Sequence, residues 1–341
     1  MLVATGQSGN ITRDVGREHL IPPIVLPPIV LPIVLGPTGS GKSDLALSIA
    51  VALGGEIVSC DSLQVFRGFN LGTAKVPPAE RRGIPHHLVD LIEPTQVFTA
   101  GDYSRVARAC LREVAGRKRI PVVVGGTGFY LRALLEGLFP GPERSPDIRE
   151  RLSAREQRLN GSLHRILSRL DPAAAARIHP SDKHKTIRAL EVRLLEGRPL
   201  SALFARGREP LTGFLPIKLG LDPPRDALYR RLDARTARMF ESGLIGEARE
   251  LLAVGVPPDA KPFESLGYRQ ALEVIDGRLT PEQALESTQV ATRQYAKRQT
   301  TWFRKEQAVH RLHGFGDDPQ LQGQALAILR QALGAGEDCA P

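Results

Sequence analysis

The sequence predicts an α/β protein: a parallel sheet core around a phosphate-binding loop, interrupted by a helical insertion. Three observations carry this. Over residues 33–53 a β-branched run meets a glycine-rich loop and then a helix-patterned segment. Two more short apolar runs, near 56–62 and 120–128, end in loops that hold an aspartate and a threonine. Between 144 and 213 strand-like runs vanish and helix signals replace them.

The first element sits in a proline-spaced repeat. Ile-Val-Leu occurs three times, at 24–26, 29–31 and 33–35. The apolar run is 15 residues long with five prolines. A bilayer-spanning helix needs about 20 residues, and interior prolines break helices. Asp14, Arg17 and Glu18 before it do not make the charged start of a signal peptide. The expectation is no membrane anchor. Only the last copy, Ile33-Val34-Leu35, is needed as a strand, with Pro32 at its start because proline cannot donate to a ladder. The earlier copies read as an extended arm.

From Gly36 the chain runs Gly36-Pro37-Thr38-Gly39-Ser40-Gly41-Lys42-Ser43, which fits G-x-x-x-x-G-K-[ST] between a strand and a helix. Glycines let backbone N–H groups turn toward a phosphate, and the helix N-terminus adds its dipole. Lys42 neutralises terminal phosphate oxygens, and the Ser43 hydroxyl suits Mg²⁺. The motif specifies a diphosphate with Mg²⁺. It does not specify what the diphosphate carries.

The second run, Glu56 to Ser62, is a short strand ending in Asp61. Parallel strands place their C-terminal ends along one edge, so Asp61 lies on the P-loop side. It reads as a magnesium ligand or general base, or as a turn aspartate. His86 and His87 have no metal-like spacing around them and read as structural. The third run, Ile120 to Gly128, brings a Gly-Gly-Thr loop with Thr127 to the same edge.

In the middle region, Asp171-Pro172 and Ser181-Asp182 are helix starts, the second helix running to Leu195 and ending near Gly197. Lys183, Lys185, Arg188 and Arg193 make it basic. Strand signal returns at 215–221. A helix after Asp222-Pro223-Pro224 holds Arg230, Arg231, Arg235 and Arg238. Residues 264–269 read as a turn, and a last long helix spans about 281–306. On it Arg293, Lys297 and Arg304 share one side, a spacing suited to tracking phosphates. Tyr295 and Trp302 share a face and read as packing residues.

Composition agrees with a globular chain that meets an acidic partner. The 341 residues suggest roughly two domains. The formal net charge is +9, which suits either an acidic partner, with nucleic acid first, or a merely solvated basic surface. Three scattered cysteines argue against a disulfide scaffold or zinc site and for a reducing, cytoplasmic setting.

Taken together, these loops resemble one family, the tRNA dimethylallyltransferases (tRNA isopentenyltransferases). The matching stretches are GPTGSGKS (36–43), SCDSLQVFRGFNLGTAK (59–75), PHHLVD (85–90), PVVVGGTGFYLRALLEGL (121–138), ARIHP (176–180), RALEV (188–192), ESLGYRQ (264–270) and ATRQYAKRQTTWFR (291–304). The resemblance implies a P-loop NTPase-like core with a helical insertion that clamps the anticodon stem-loop of tRNA. It implies a P-loop holding dimethylallyl diphosphate, and prenyl transfer to the 6-amino group of the adenine just 3′ of the anticodon, position 37. Asp61 matches the general base. Thr38, Lys42 and Arg235 or Arg231 match groups that stabilise the departing diphosphate. Asp61, Ser62, Leu63 and Gln64 match the segment gripping the target base, and Thr127 and Arg149 match tRNA-touching positions. Mg²⁺ bound through Ser43 would assist. The expected organisation is an extension over 1–30, core over 31–143, insertion over 144–213, core over 214–312 and a tail over 313–341, acting as a monomer. The chain departs from the family at Phe66 (usually Tyr), Asn70 (usually Asp) and Lys185 (usually Arg). Three competing readings are an adenylate isopentenyltransferase, a P-loop small-molecule kinase, and a nucleic-acid-binding module whose P-loop is only a switch.

Overall fold

Strand β1 (Ile29–Leu35) uses two copies of the repeat, where one was expected. The structure, a computed structural model, describes residues 28–139, 141–205 and 207–337. The copy at 24–26 therefore lies outside the described residues. Pro32 sits inside the strand, not at its start. Its position is tolerated for a definable reason. The Ile29 N–H donates to Gly213 O at 3.0 Å, toward the neighbouring strand on one side. Backbone groups alternate along a strand, so the Pro32 nitrogen faces the other side. Pairing there begins only at Ile33, opposite Val123, so no ladder bond is lost. The strand is buried on both faces. Leu31, Ile33 and Leu35 pack with Val58, Val123, Leu111 and Leu131. Val30 and Val34 pack with Leu45, Ile49, Leu219 and Leu329. Burial on both sides is why the sequence reads as an unbroken apolar run.

The elements follow in order. Helix α1 (Lys42–Leu53) leaves the P-loop and ends on Gly54 in the left-handed conformation. Then come β2 (Glu56–Ser59), the edge strand β3 (His86–His87), α2 (Ala100–Gly116), β4 (Pro121–Gly125) and α3 (Gly128–Glu136). The insertion supplies α4 (Pro146–Arg158), α5 (Ser162–Leu170), α6 (Pro172–Arg177), α7 (Lys183–Glu196) and α8 (Leu200–Ala205). The chain returns through β5 (Phe214–Leu221), α9 (Arg225–Glu241), α10 (Leu244–Ala253), α11 (Tyr268–Ile275), α12 (Pro281–Phe303), β6 (Val309–Leu312) and α13 (Pro319–Glu337). The sheet order is β3-β2-β4-β1-β5-β6, and every pairing is parallel. The strand ends after β1, β2 and β4 consequently share one edge, which brings residues 36–43, 61–64 and 126–127 together.

The expected helix starts in the insertion form as read. Asp171 caps α6 by accepting from the Ala174 N–H, and it also accepts from the Ser201 N–H. Asp182 caps α7, which ends on Gly197 with φ 64°. These helices bury their own apolar cluster, including Leu163, Leu167, Ile187, Leu190 and Leu203. His86 and His87 take structural roles: His87 Nε2 meets Glu56 Oε2 at 2.6 Å.

Four expectations need correction. Residues 264–269 are only partly a turn, because Tyr268 opens α11. The long helix stops at Phe303, not near 306. Residues 313–341, expected as a tail, contain α13, whose Leu321, Ala325 and Leu329 are buried against the sheet face that holds α1. The assumed start of the core at 31 also cuts β1, which begins at Ile29. Among the described residues, no helix is long and apolar enough to cross a membrane.

Candidate active site at the P-loop edge of the sheet

The P-loop is shaped by its glycines and by the chain behind it. Gly41 has φ 81°, and a side chain there would meet the Gly316 N at 2.8 Å. The Gly316 N–H in turn donates to Ser40 O at 2.9 Å. The loop is thereby backed by a segment that the sequence reading left without a role. Inside the loop, the Lys42 ammonium donates to Pro37 O at 2.7 Å. Lys42 is pushed down to about 7, by burial first and by the Arg235 charge second, while Asp61 opposes the shift. A buried cation this destabilised is poised to accept an anion.

One cavity of about 480 Å³ lies above the loop. Thr38, Lys42 and Ser43 line it from the P-loop, Asp61 to Gln64 from the end of β2, Gly126 from the end of β4, and Arg235 from α9. Asp61 Oδ1 accepts from the N–H groups of Leu63 (2.8 Å) and Gln64 (3.3 Å). The aspartate therefore makes a turn with one oxygen, and Oδ2 has no hydrogen bond among the described residues. The two readings of Asp61 are compatible: the turn holds the carboxylate in place, and the second oxygen is left for chemistry. Thr127 Oγ1 accepts from the Ser62 N–H at 3.2 Å, so the β4 loop and the Asp61 loop are tied together. Gln64 is held at both ends, accepting from Ser59 Oγ at 3.1 Å and donating to Thr73 O at 3.2 Å.

The structure separates Arg231 from Arg235. Arg235 Nη1 lies 3.4 Å from Thr38 Oγ1 and lines the cavity. Burial pulls its pKa down. Arg231 instead pairs with both oxygens of Asp317, at 2.7 and 3.0 Å, and stacks on Phe315. Arg149 is not among the cavity-lining residues. It sits on α4, and with Arg188 it pairs to the fully buried Glu191. Arg293, expected on a phosphate-tracking stripe, is engaged with Asp233, whereas Lys297 and Arg304 are exposed.

Sequence reasoning missed the wall that α12 provides. Thr288, Thr292, Tyr295 and Gln299 all line the cavity. Their spacings of four, three and four mark one helix face. Tyr295 therefore faces the cavity, with Arg298 over its ring at 5.7 Å. Trp302 does pack: it lies edge-on to Phe303 at 5.0 Å, and a side chain at Gly128 would collide with it. Leu232, Met239 and Leu266 add apolar wall to the cavity.

Among the described residues no three His, Cys, Asp or Glu side chains cluster as a metal site. Of the oxygen donors that line the cavity, the Ser43 hydroxyl comes from the P-loop and the Asp61 carboxylate from the end of β2, and both are hard. That set is too small for an all-protein cage. It does fit Mg²⁺, which keeps waters and takes most other ligands from substrate phosphates.

Fold and site together define a class, a P-loop α/β protein whose loop faces a carboxylate across a cavity large enough for a small diphosphate. The chain belongs to the IPP transferase family, whose profile matches residues 64–306. A tRNA dimethylallyltransferase of Solibacter usitatus (strain Ellin6076) is 56% identical over 299 residues, covering 88% of this chain and 97% of that protein. One from Koribacter versatilis (strain Ellin345) is 53% identical over 301 residues, covering 87% and 96%. Among solved structures, the full-length tRNA isopentenylpyrophosphate transferase of Bacillus halodurans matches with TM-score 0.66 at 35% identity, over 91% of this chain and 97% of that one. A eukaryotic dimethylallyltransferase acting on tRNA matches with TM-score 0.78 at 26% identity, over 90% and 80%. The P-loop NTPase-like parallel sheet expected from the sequence is the fold found.

Proposed function

We propose that the chain works as a tRNA dimethylallyltransferase, moving a dimethylallyl group from dimethylallyl diphosphate to the 6-amino group of adenine 37, immediately 3′ of the anticodon. The observation that carries this is the shared cavity: P-loop groups for a diphosphate and the Asp61 carboxylate for an amine line one space. The amine nitrogen attacks the allylic carbon, the carbon–oxygen bond breaks, and diphosphate leaves with the electron pair. Asp61 takes the proton from the amine, which matters because an aromatic amine is a poor nucleophile. Thr38, Lys42 and Arg235 stabilise the charge that grows on the departing oxygens. Leu232, Met239 and Leu266 offer apolar wall to the prenyl group. Mg²⁺ held through Ser43 would neutralise diphosphate charge when bound.

The acceptor is RNA rather than free nucleotide on the evidence of the basic exterior. Exposed Arg151, Arg155, Arg158, Arg165, Arg169 and Lys183 crowd the insertion, and Lys297 on α12 and Arg304 just after it are exposed as well. The adenine must leave its stack to reach the cavity. We place Ser62 to Gln64 and Thr127 at that base, and Arg149 on the RNA side through the insertion. The enzyme acts as a cytoplasmic monomer on this reading. The test is to incubate the protein with unmodified tRNA, dimethylallyl diphosphate and Mg²⁺, then weigh the nucleosides. A dimethylallyl adduct on adenine 37 is the expected result. Transfer to free adenine nucleotides instead of tRNA, or phosphoryl transfer from ATP, would overturn it.

A further inference from the structure

Gln299 joins the two halves of the site. Its side chain leaves α12 between the P-loop and the β4 loop. Oε1 accepts from the Thr38 N–H at 2.8 Å, and Nε2 donates to Gly126 O at 3.0 Å. The orientation of the amide is forced: a backbone N–H can only donate and a carbonyl can only accept. The residue is buried, 8% exposed, yet lines the cavity. Space has been kept for it, since a side chain at Gly126 would meet Gln299 Nε2 at 2.4 Å.

The two bonded groups belong to different functions. Thr38 carries the hydroxyl that Arg235 approaches, on the donor loop. Gly126 precedes Thr127, whose hydroxyl holds the Ser62 N–H beside Asp61, on the acceptor loop. The same helix exposes Lys297, and Arg304 is exposed just past its end, cations suited to RNA. We propose that Gln299 is a positioning residue that clasps the donor loop to the acceptor loop, fixing the allylic carbon and the attacking amine relative to each other. This rests on the proposed reaction. Small misplacements of reacting groups cost large factors in rate, so a single amide that sets the separation acts on turnover more than on binding.

Three variants test it. Gln299→Met keeps the volume and loses both bonds. It is expected to lower kcat about tenfold or more while affinity for tRNA stays within about twofold. In a Thr38→Ala background, which keeps the backbone N–H that Gln299 accepts from, the same change is expected to cost a similar factor, because the bond and the loop separation it sets are still there to lose. A cost that disappears in the Thr38→Ala background, or kcat within twofold of the parent, overturns the proposal, as does a loss that merely follows the melting temperature. Gln299→Glu gives a second, independent readout. Its carboxyl group can hold both partners only when protonated. The ratio of its kcat to that of the parent should therefore rise as pH falls from 8 toward about 5.5; a flat ratio overturns the clasp. If the parent transfers no prenyl group at all, the proposed function fails and the clasp is still decided by calorimetry with inorganic diphosphate. Gln299→Met is then expected to weaken binding about fivefold, and an unchanged Kd overturns it.

Discussion

On the proposed mechanism Asp61 does two things that single substitutions can separate. Its Oδ1 accepts from the N–H groups of Leu63 and Gln64, and its Oδ2 has no hydrogen bond among the described residues. Asp61→Asn retains an amide oxygen for the turn and removes the base. Turnover is expected to fall by about 10²–10⁴, the usual worth of a general base, with tRNA affinity near normal in a filter-binding assay. Wild-type turnover in this variant would remove Asp61 from the chemistry. Lys42 makes a pH prediction. Its folded pKa is lowered from 10.5 to about 7 by burial and by Arg235. Below about 7 the amine is charged in both folded and unfolded chains. Between about 7 and 10.5 it is neutral when folded and charged when unfolded, so in this window the lysine's contribution to stability rises with pH. A bound diphosphate restores the charge. Binding of dimethylallyl diphosphate should therefore take up a proton at pH 8.5 and weaken as pH rises, measured by calorimetry in two buffers of different ionisation enthalpy. Lys42→Met should bind more weakly and lose the lysine's share of that proton uptake.

At the scale of elements, α12 shows what sequence patterns reveal and hide. Its basic residues were legible because charge is visible in a sequence, but which charges are free was not. Arg293 is consumed by Asp233, a partner 60 residues away that only the fold brings close. Lys297 and Arg304 are exposed. Lys297→Ala should thus weaken tRNA binding and reduce the slope of log Kd against log salt by about one contact, while Arg293→Ala leaves the slope nearly unchanged. Equal slope changes in both would return Arg293 to the RNA surface. The opposite face, Thr288 to Gln299, obeys helical spacing but is polar. Such a face reads as solvent-exposed until the fold places it over a cavity. β1 teaches the converse. Proline was read as a strand boundary, yet its cost depends on which way its nitrogen points. That direction follows from the neighbouring strand, which the local sequence does not contain.

For the whole molecule, the P-loop edge was legible because strand–loop–helix grammar in a parallel sheet is local, and parallel strands deliver their loops to one side. Arg231 and Arg235 look alike in the sequence, being one helical turn apart with the same charge; in the fold Arg231 pairs with Asp317, far along the chain, while Arg235 lines the cavity. The C-terminal region was illegible for a related reason. Residues 319–337 carry glycines and glutamines among their apolar positions, and their role depends on a sheet face completed elsewhere. In the fold, α13 closes the side that holds α1, and the preceding Gly316 backs the P-loop through Ser40. Stability and catalysis should separate along this seam. Leu329 is fully buried among Val34, Leu45, Ile49 and Leu219, away from the cavity. Leu329→Ala removes buried methyl groups and leaves a void, costing about 2–5 kcal/mol. Denaturant unfolding should show a lower midpoint with an unchanged slope. At a temperature where the variant remains folded, kcat should match the parent, because no cavity-lining group moves. A lowered kcat with an unchanged unfolding midpoint would mean that α13 acts on the P-loop itself, through Gly316, rather than by covering the sheet.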